Sequence, residues 1–207
     1  MPDLIDIEIN DNHKCFKEKA SIYKKSGLDF IESRKFILNK AGPLHGNILE
    51  IGSGKGNTAI SLARAGYGLI SVDNDEEMVR IAALNLAYEK LLPKVELYVM
   101  DAYSLEFKEN SFNNIFIIEA LHHMDDIDRI FSEVERVLSK EGKLILADFN
   151  NKGRKIIEDV HASEGRKHES SSISRNEAQK WLLDKGYNCK EYDDICHWVI
   201  IANKRAV

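Results

Sequence analysis

The sequence has few cysteines, no long apolar run and no excess of positive charge, and each absence removes a class of protein. Its three cysteines, Cys15, Cys189 and Cys196, form no CxxC pair. So sparse and odd a set reads as free thiols in a reducing cytosol, which excludes a disulfide scaffold. No apolar stretch approaches the ~18 residues of a membrane span. The opening MPDLIDIEIN is acidic and lacks the basic start of a signal peptide. A cytoplasmic protein with no membrane partner is the expectation. Lysine and arginine number 29 against 34 aspartates and glutamates, for a net charge of -5. With no basic stripe, a nucleic-acid partner is disfavoured. There is no internal repeat, and the only biased segment, HESSSISR, reads as a polar loop.

What is present suits one globular domain. The 207 residues are 43% hydrophobic and 30% charged, enough for a full-sized core. Residues 14–40 mix lysines and acids with apolar positions, which predicts two short amphipathic helices broken near Ser26 and Gly27. AGPLHGN (41–47) is a stop and linker. From there, strands alternate with helices. Strands are predicted at 47–51, 68–73, 95–100, 112–119 and 143–149, and helices at 57–66, 75–92 and 127–142. That rhythm argues for a parallel sheet with helices on both faces. A capping box, Ser174 with Glu177, opens a helix over 174–187. Two strands follow with no helix between them, 187–192 and 197–203, so the last should run antiparallel.

The motif with chemistry is NILEIGSGKGN, Asn47 to Asn57. Glycines allow positive φ and let backbone pass close to a ligand. The helix start that follows offers free N–H groups. A tight turn without a ligand would also use glycines. A dinucleotide site with G-x-G-x-x-G spacing is a second reading, for an NAD-dependent oxidoreductase. Here Asn57 stands where the third glycine would be, and Glu50 would repel a pyrophosphate. A carboxylate there favours a ligand with cationic groups.

LEIGSGKGN resembles the E/D-x-G-x-G-x-G motif of class I S-adenosylmethionine-dependent methyltransferases. The second strand ends in Asp73, at the distance expected of a ribose-binding acid. MDAYSLEF, FNNIFIIEALHHMDD and RVLSKEGKLILADF are similar to the family's later motifs, in order. The resemblance implies a doubly wound α/β fold, a Rossmann-like seven-stranded sheet in the order 3-2-1-4-5-7-6 with the last strand antiparallel. It divides the chain into a helical lid (1–40), a cofactor core (45–149), a substrate-side insert (150–173) and a helix with a C-terminal hairpin (174–207). It implies S-adenosyl-L-methionine as cofactor. Glu50 would favour the methionine end, chiefly by long-range charge. Gly52 and Gly54 would let the backbone approach, Asp73 would take the ribose hydroxyls, and Asp101 with the Ala102 N–H would meet the adenine. Ser53, Asn74 and Glu119 complete the implied cofactor site.

Five of the seven histidines fall in the second half: His122, His123, His161, His168 and His197. Three readings stand for them: ordinary surface residues; a general base in a substrate pocket, with His123 and His161 as candidates; or a metal site of His161, Glu164, His168 and His197. If the segment around His161 is helical, His161, Glu164 and His168 share a face. His123, His161, His168 and His197 are expected to approach one another on the acceptor side of the cofactor, and residues 14–40 to fold over the cofactor with Tyr23 as a candidate contact. EALHH replaces the Asn/Asp-Pro-Pro-Tyr loop of amino-group DNA methyltransferases, and no Pro-Cys nucleophile exists. With the acidic pI, a small-molecule acceptor is expected, with a protein or tRNA acceptor as the alternatives. A non-catalytic S-adenosylmethionine-binding partner subunit is the alternative from another class.

Overall fold

A computed structural model describes residues 5–165 and 173–204. Seven strands form one sheet: β1 (Ile48–Ile51), β2 (Leu69–Asp73), β3 (Val95–Val99), β4 (Phe112–Ile118), β5 (Leu138–Phe149), β6 (Asn188–Asp193) and β7 (His197–Asn203). Their order is β3-β2-β1-β4-β5-β7-β6, as the family resemblance implied. β1 to β5 pair in parallel, and β7 runs antiparallel to both β5 and β6. All four residues of β1 are buried, because helices cover both faces of a central parallel strand.

The helices are α1 (Asp6–Lys25), α2 (Phe30–Ala41), α3 (Asn57–Arg64), α4 (Glu76–Tyr88), α5 (Ile127–Val137), α6 (Asn151–Ser163) and α7 (Arg175–Asp184). Side-chain period decides which face each strand residue serves. On β4, Ile115 and Ile117 pack with α5 and α7, whereas Phe116 and Ile118 pack with α2, α3 and α4. β5 and β7 divide in the same way. The outer strand β6 carries Lys190, Glu191 and Asp193, charges that discourage pairing with another chain.

Three elements differ from the sequence reading. α1 begins at Asp6 and runs 20 residues, where a short helix within 14–40 was expected. α5 stops at Val137, since Leu138 takes an extended conformation, buries completely and starts β5 early. The insert after β5 is a helix, α6, opened by the Asn150 side chain, which accepts from the N–H groups of Lys152 and Gly153. Its apolar residues Ile156, Ile157 and Val160 join Tyr23, Leu28 and Phe149 in a small cluster at the sheet's carboxyl edge. α6 ends at Ser163, so Glu164 and Gly165 lie beyond it, and Gly165 has φ +70°. His168 lies outside the described residues.

α1 and α2 break between Lys25 and Phe30, as the glycine predicted, and Asp29 caps α2. α1 crosses from α4 to α6. At one end Asn12 donates to Asn85 (2.8 Å) and His13 stacks on Tyr88. At the other, Lys19 pairs with Glu164 at 3.1 Å. The helical lid therefore spans the carboxyl edge.

Candidate functional site

The turn after β1 builds the first wall of a cleft. Gly52 (φ +90°) donates its N–H to Val72 O, and an added Cβ would stand 2.7 Å from Ala120 Cβ. Gly54 (φ +47°) donates to Asp73 Oδ2 at 2.8 Å, while Asp73 Oδ1 accepts from the Asp75 N–H. One carboxylate at the end of β2 thus holds the glycine turn and the backbone of Asp75, whose own side chain caps α4 by accepting from the Glu77 N–H. A Cβ at Gly54 would meet nothing within 4 Å, so it would project into the cleft that Gly54 lines. This acidic cleft has a volume of ≈370 Å³. It brings together Gly52, Gly54, Asp73, Asn74, Asp101, Ala102 and Glu119, with Met78, Met100 and Tyr103 as less polar walls.

Glu50 and Ser53 stand behind the turn. Glu50 accepts from Ser71 Oγ at 2.6 Å, and Ser53 Oγ lies 2.7 Å from that hydroxyl. Burial pushes the Glu50 carboxyl up to about 7, against the pull of Ser71 and Arg34. Its influence on a ligand would act through the turn and at a distance.

A second cavity, ≈230 Å³, adjoins the first under the lid. Phe16, Tyr23, Phe30, Phe149 and Ile157 give it apolar walls, and His122, His123 and His161 line it together with Lys19 and Lys55. Tyr23 faces this cavity rather than the acidic cleft, because the break before α2 drops it beside Phe30. Glu119 and His123 line both cavities and mark their junction.

Glu119 sits there with φ +56°. Arg34 Nη1 donates to its Oε1 at 2.6 Å, and His197 Nε2 lies 2.6 Å from the same oxygen. The other nitrogen of His197 is 3.2 Å from Asp194 Oδ1. Carboxylates accept, so both ring nitrogens carry protons. Burial opposes that charge, but the bonds to Asp194 and Glu119 outweigh it and hold the imidazole above its usual pKa. Burial likewise opposes the Glu119 carboxylate, and Arg34 and His197 overcome it, keeping its pKa well below the usual range. His197 is completely buried in this network and does not line the cavity. His123 and His161 do meet there. Among the described residues no three His, Cys, Asp or Glu side chains are grouped to hold a metal ion.

Arg34, Asp148 and Asp194 were not singled out in the sequence. Arg34 reads as one charge among many in ESRKF, but it lies three residues from Ile37 and seven from Ala41, on the buried face of α2. That spacing was the available signal.

A mostly parallel sheet with a cleft at its carboxyl ends, around the turn after a central strand, defines a Rossmann-like fold. A methyltransferase domain family matches residues 49–146. The chain is 30% identical to the uncharacterized methyltransferase YcgJ of Bacillus subtilis over 151 residues, 73% of this chain and 59% of that protein. It is also 30% identical to the ubiquinone/menaquinone biosynthesis C-methyltransferase UbiE of Rickettsia prowazekii, over 74% of this chain and 62% of that one. The matched region thus spans about 60% of the length of these relatives. The PH0226 protein of Pyrococcus horikoshii has the same fold, with a TM-score of 0.71 at 19% identity over 84% of this chain and 90% of its own. The chain belongs to the class I S-adenosylmethionine-dependent methyltransferase family. No described helix is long and apolar enough to cross a membrane.

Proposed function

We propose that the acidic cleft binds S-adenosyl-L-methionine and that the histidine-lined cavity receives a small-molecule acceptor for its methyl group. The observation that carries this reading is the pair of adjoining cavities, which share Glu119 and His123. Methyl transfer needs two ligands aligned in one line and shielded from water.

The residues present suit such a cofactor. Each oxygen of Asp73 accepts one backbone N–H and retains lone pairs for two ribose hydroxyls. Asn74 stands beside it. Asp101, at the start of its own turn, would accept from the adenine amino group, with the Ala102 N–H close by. Met78 and Met100 offer apolar surface to a purine. Gly52 and Gly54 leave room for the methionine part, near Glu119. Ser53 supports the turn, and Glu50 contributes as a buried carboxyl beneath it. The bound cofactor would supply a methyl group activated by a sulfonium. His123, at the junction, and His161, on α6, would face the acceptor. The small volume under the lid supports a small molecule over a macromolecule.

Calorimetry and an acceptor screen test this reading. S-adenosylmethionine and S-adenosylhomocysteine should bind and NAD should not, and some acceptor should yield S-adenosylhomocysteine. NAD binding without S-adenosylmethionine binding would overturn it. Cofactor binding with no turnover across the screen would favour a non-catalytic partner subunit.

A further inference from the structure

We propose that Asn85 is a positioning residue that couples the lid to the cofactor turn, so that docking of α1 and binding of S-adenosylmethionine strengthen each other. This rests on the cofactor reading above and concerns how that site closes.

Asn85 is a polar residue of α4 that is completely buried, so its amide has to find partners inside the protein. Nδ2 donates to the Lys55 carbonyl at 2.9 Å, and Oδ1 accepts from Asn12 Nδ2 of the lid helix at 2.8 Å. Lys55 belongs to the glycine turn, between Gly54 and Gly56. The turn is therefore clamped on two sides: β2 holds the Gly54 N–H through Asp73, and α4 holds the Lys55 carbonyl through Asn85. Gly56 seats the turn closely on α4, since an added Cβ would stand 3.4 Å from Ala82, in the helical turn before Asn85. An amide is asymmetric. Turned over, it would set Oδ1 of Asn85 against the Lys55 carbonyl, oxygen facing oxygen. The turn thus fixes which end of Asn85 meets the lid, and it is the accepting end that Asn12 requires. Ordering of the turn by a bound cofactor orders this acceptor. A docked lid, in return, holds the amide that holds the turn, and such a coupling is equal in both directions.

α1 meets α4 at neighbouring places. Glu8 pairs with Arg80, Asn12 bonds to Asn85, and His13 stacks on Tyr88 with ring centroids 3.4 Å apart. Of these, the Asn12 contact continues to the cofactor turn. His13 sets the balance. It is 6% exposed, and its Nδ1 is buried with no hydrogen-bond partner among the described residues. An unpartnered buried nitrogen favours the state in which water reaches it. Docking of the lid is thus opposed from within, and a hydrogen bond at Asn85 can tip it. Asn12 is not among the residues that line either cavity, so its effect on cofactor affinity has to pass through Asn85.

The test is a double-mutant cycle on the full chain, read by titration calorimetry with S-adenosylhomocysteine and by proteolysis of α1 with and without it. In wild type, saturating S-adenosylhomocysteine should slow cleavage in α1. Asn12→Ala should weaken S-adenosylhomocysteine about fivefold, the scale of one neutral hydrogen bond, and lose most of the ligand-dependent protection. Asn12→Gln, which keeps the donor, should restore both. Asn85→Ala should weaken binding further, since the turn loses its own clamp, and the double variant should bind no more weakly than Asn85→Ala alone. If circular dichroism shows Asn85→Ala unfolded, Asn12→Ala and Asn12→Gln still decide the matter. Wild-type affinity in Asn12→Ala, losses that multiply in the double variant, or equal protection in Asn12→Ala and wild type would each overturn the proposal. Failure of S-adenosylhomocysteine to bind wild type would overturn the cofactor reading with it, whereas normal binding that ignores Asn12 would remove the coupling alone.

Discussion

The acidic cleft and the histidine-lined cavity share one sheet edge and are assembled in different ways. The cleft is built from consecutive strand ends. Gly54 and Asp73 are 19 residues apart, and the bond between them closes one β-α-β unit. The cavity is built from distant parts. Glu119 meets Arg34 across 85 positions and His197 across 78, and Lys19 reaches Glu164 across 145. The first side uses neutral backbone and single carboxylates near water. Behind the second, Glu119 is held in a network of buried charges. A cofactor shared by many proteins can be served by a local motif, while an acceptor site can be altered by changing the elements that cover it.

The largest expected effect tests the network. Arg34→Met should cost about 3–5 kcal/mol, since it leaves Glu119 buried without its main cation. Urea unfolding followed by Trp181 and Trp198 would measure it. Arg34→Met combined with Glu119→Gln should recover much of the loss. Additive losses would mean that the two residues are not coupled and would remove the contrast with the cleft.

Glu50 lies beneath the cleft but touches Arg34's field, and pH can separate its role. Its pKa rises from 4.5 to about 7 on folding. A raised folded pKa contributes stability that is full below pH 4.5 and is lost as pH climbs through about 7. The difference is about 3 kcal/mol. Glu50→Gln should therefore flatten the fall in stability over this window. Glu119 and Asp194, with lowered values, act in the opposite sense and in the acid range. The raised His197 value places its loss above the ordinary imidazole range. A Glu50→Gln curve parallel to wild type between pH 4.5 and 7 would contradict the buried, neutralised carboxyl.

On the cleft side the effect should appear in binding. Asp73→Ala should weaken S-adenosylmethionine by roughly 1–3 kcal/mol, the scale of charge-assisted hydrogen bonds. Isothermal titration would show it, and equal affinity would take Asp73 out of the site. The smallest effect belongs to the lid. Lys19→Ala removes a partly exposed ion pair and should change stability by less than about 1 kcal/mol. Even so, proteolysis within α1 should quicken in this variant and slow when cofactor is added. Equal cleavage with and without cofactor would argue against a closing lid.

Much of the fold was legible because the patterns that encode it are short. β1, the glycine turn and Asp73 follow from period, φ requirements and spacing. The short link before β7 left no topology but a hairpin. α6 was harder to see, since its apolar residues are only Ile156, Ile157 and Val160 among polar neighbours, with Gly153 inside. The histidines illustrate the limit. His123 and His161 line one cavity at the carboxyl edge. His197 was expected beside them, but its place at the start of β7, opposite Phe149, turns it into the ion-pair network behind Glu119.

The sequence by itself determined the order of strands and helices, the glycine turn and the acid at the end of β2. These depend on contacts within one or two neighbouring elements, where side-chain period and backbone sterics leave few choices. Only the tertiary structure decided that Arg34 is buried on Glu119, that Asp148 holds His122, and that three histidines and four aromatic rings enclose one cavity. Those pairings depend on which helix face meets which strand end. A charged residue in an amphipathic helix gives no sign of its partner until packing takes it out of water and makes a partner obligatory.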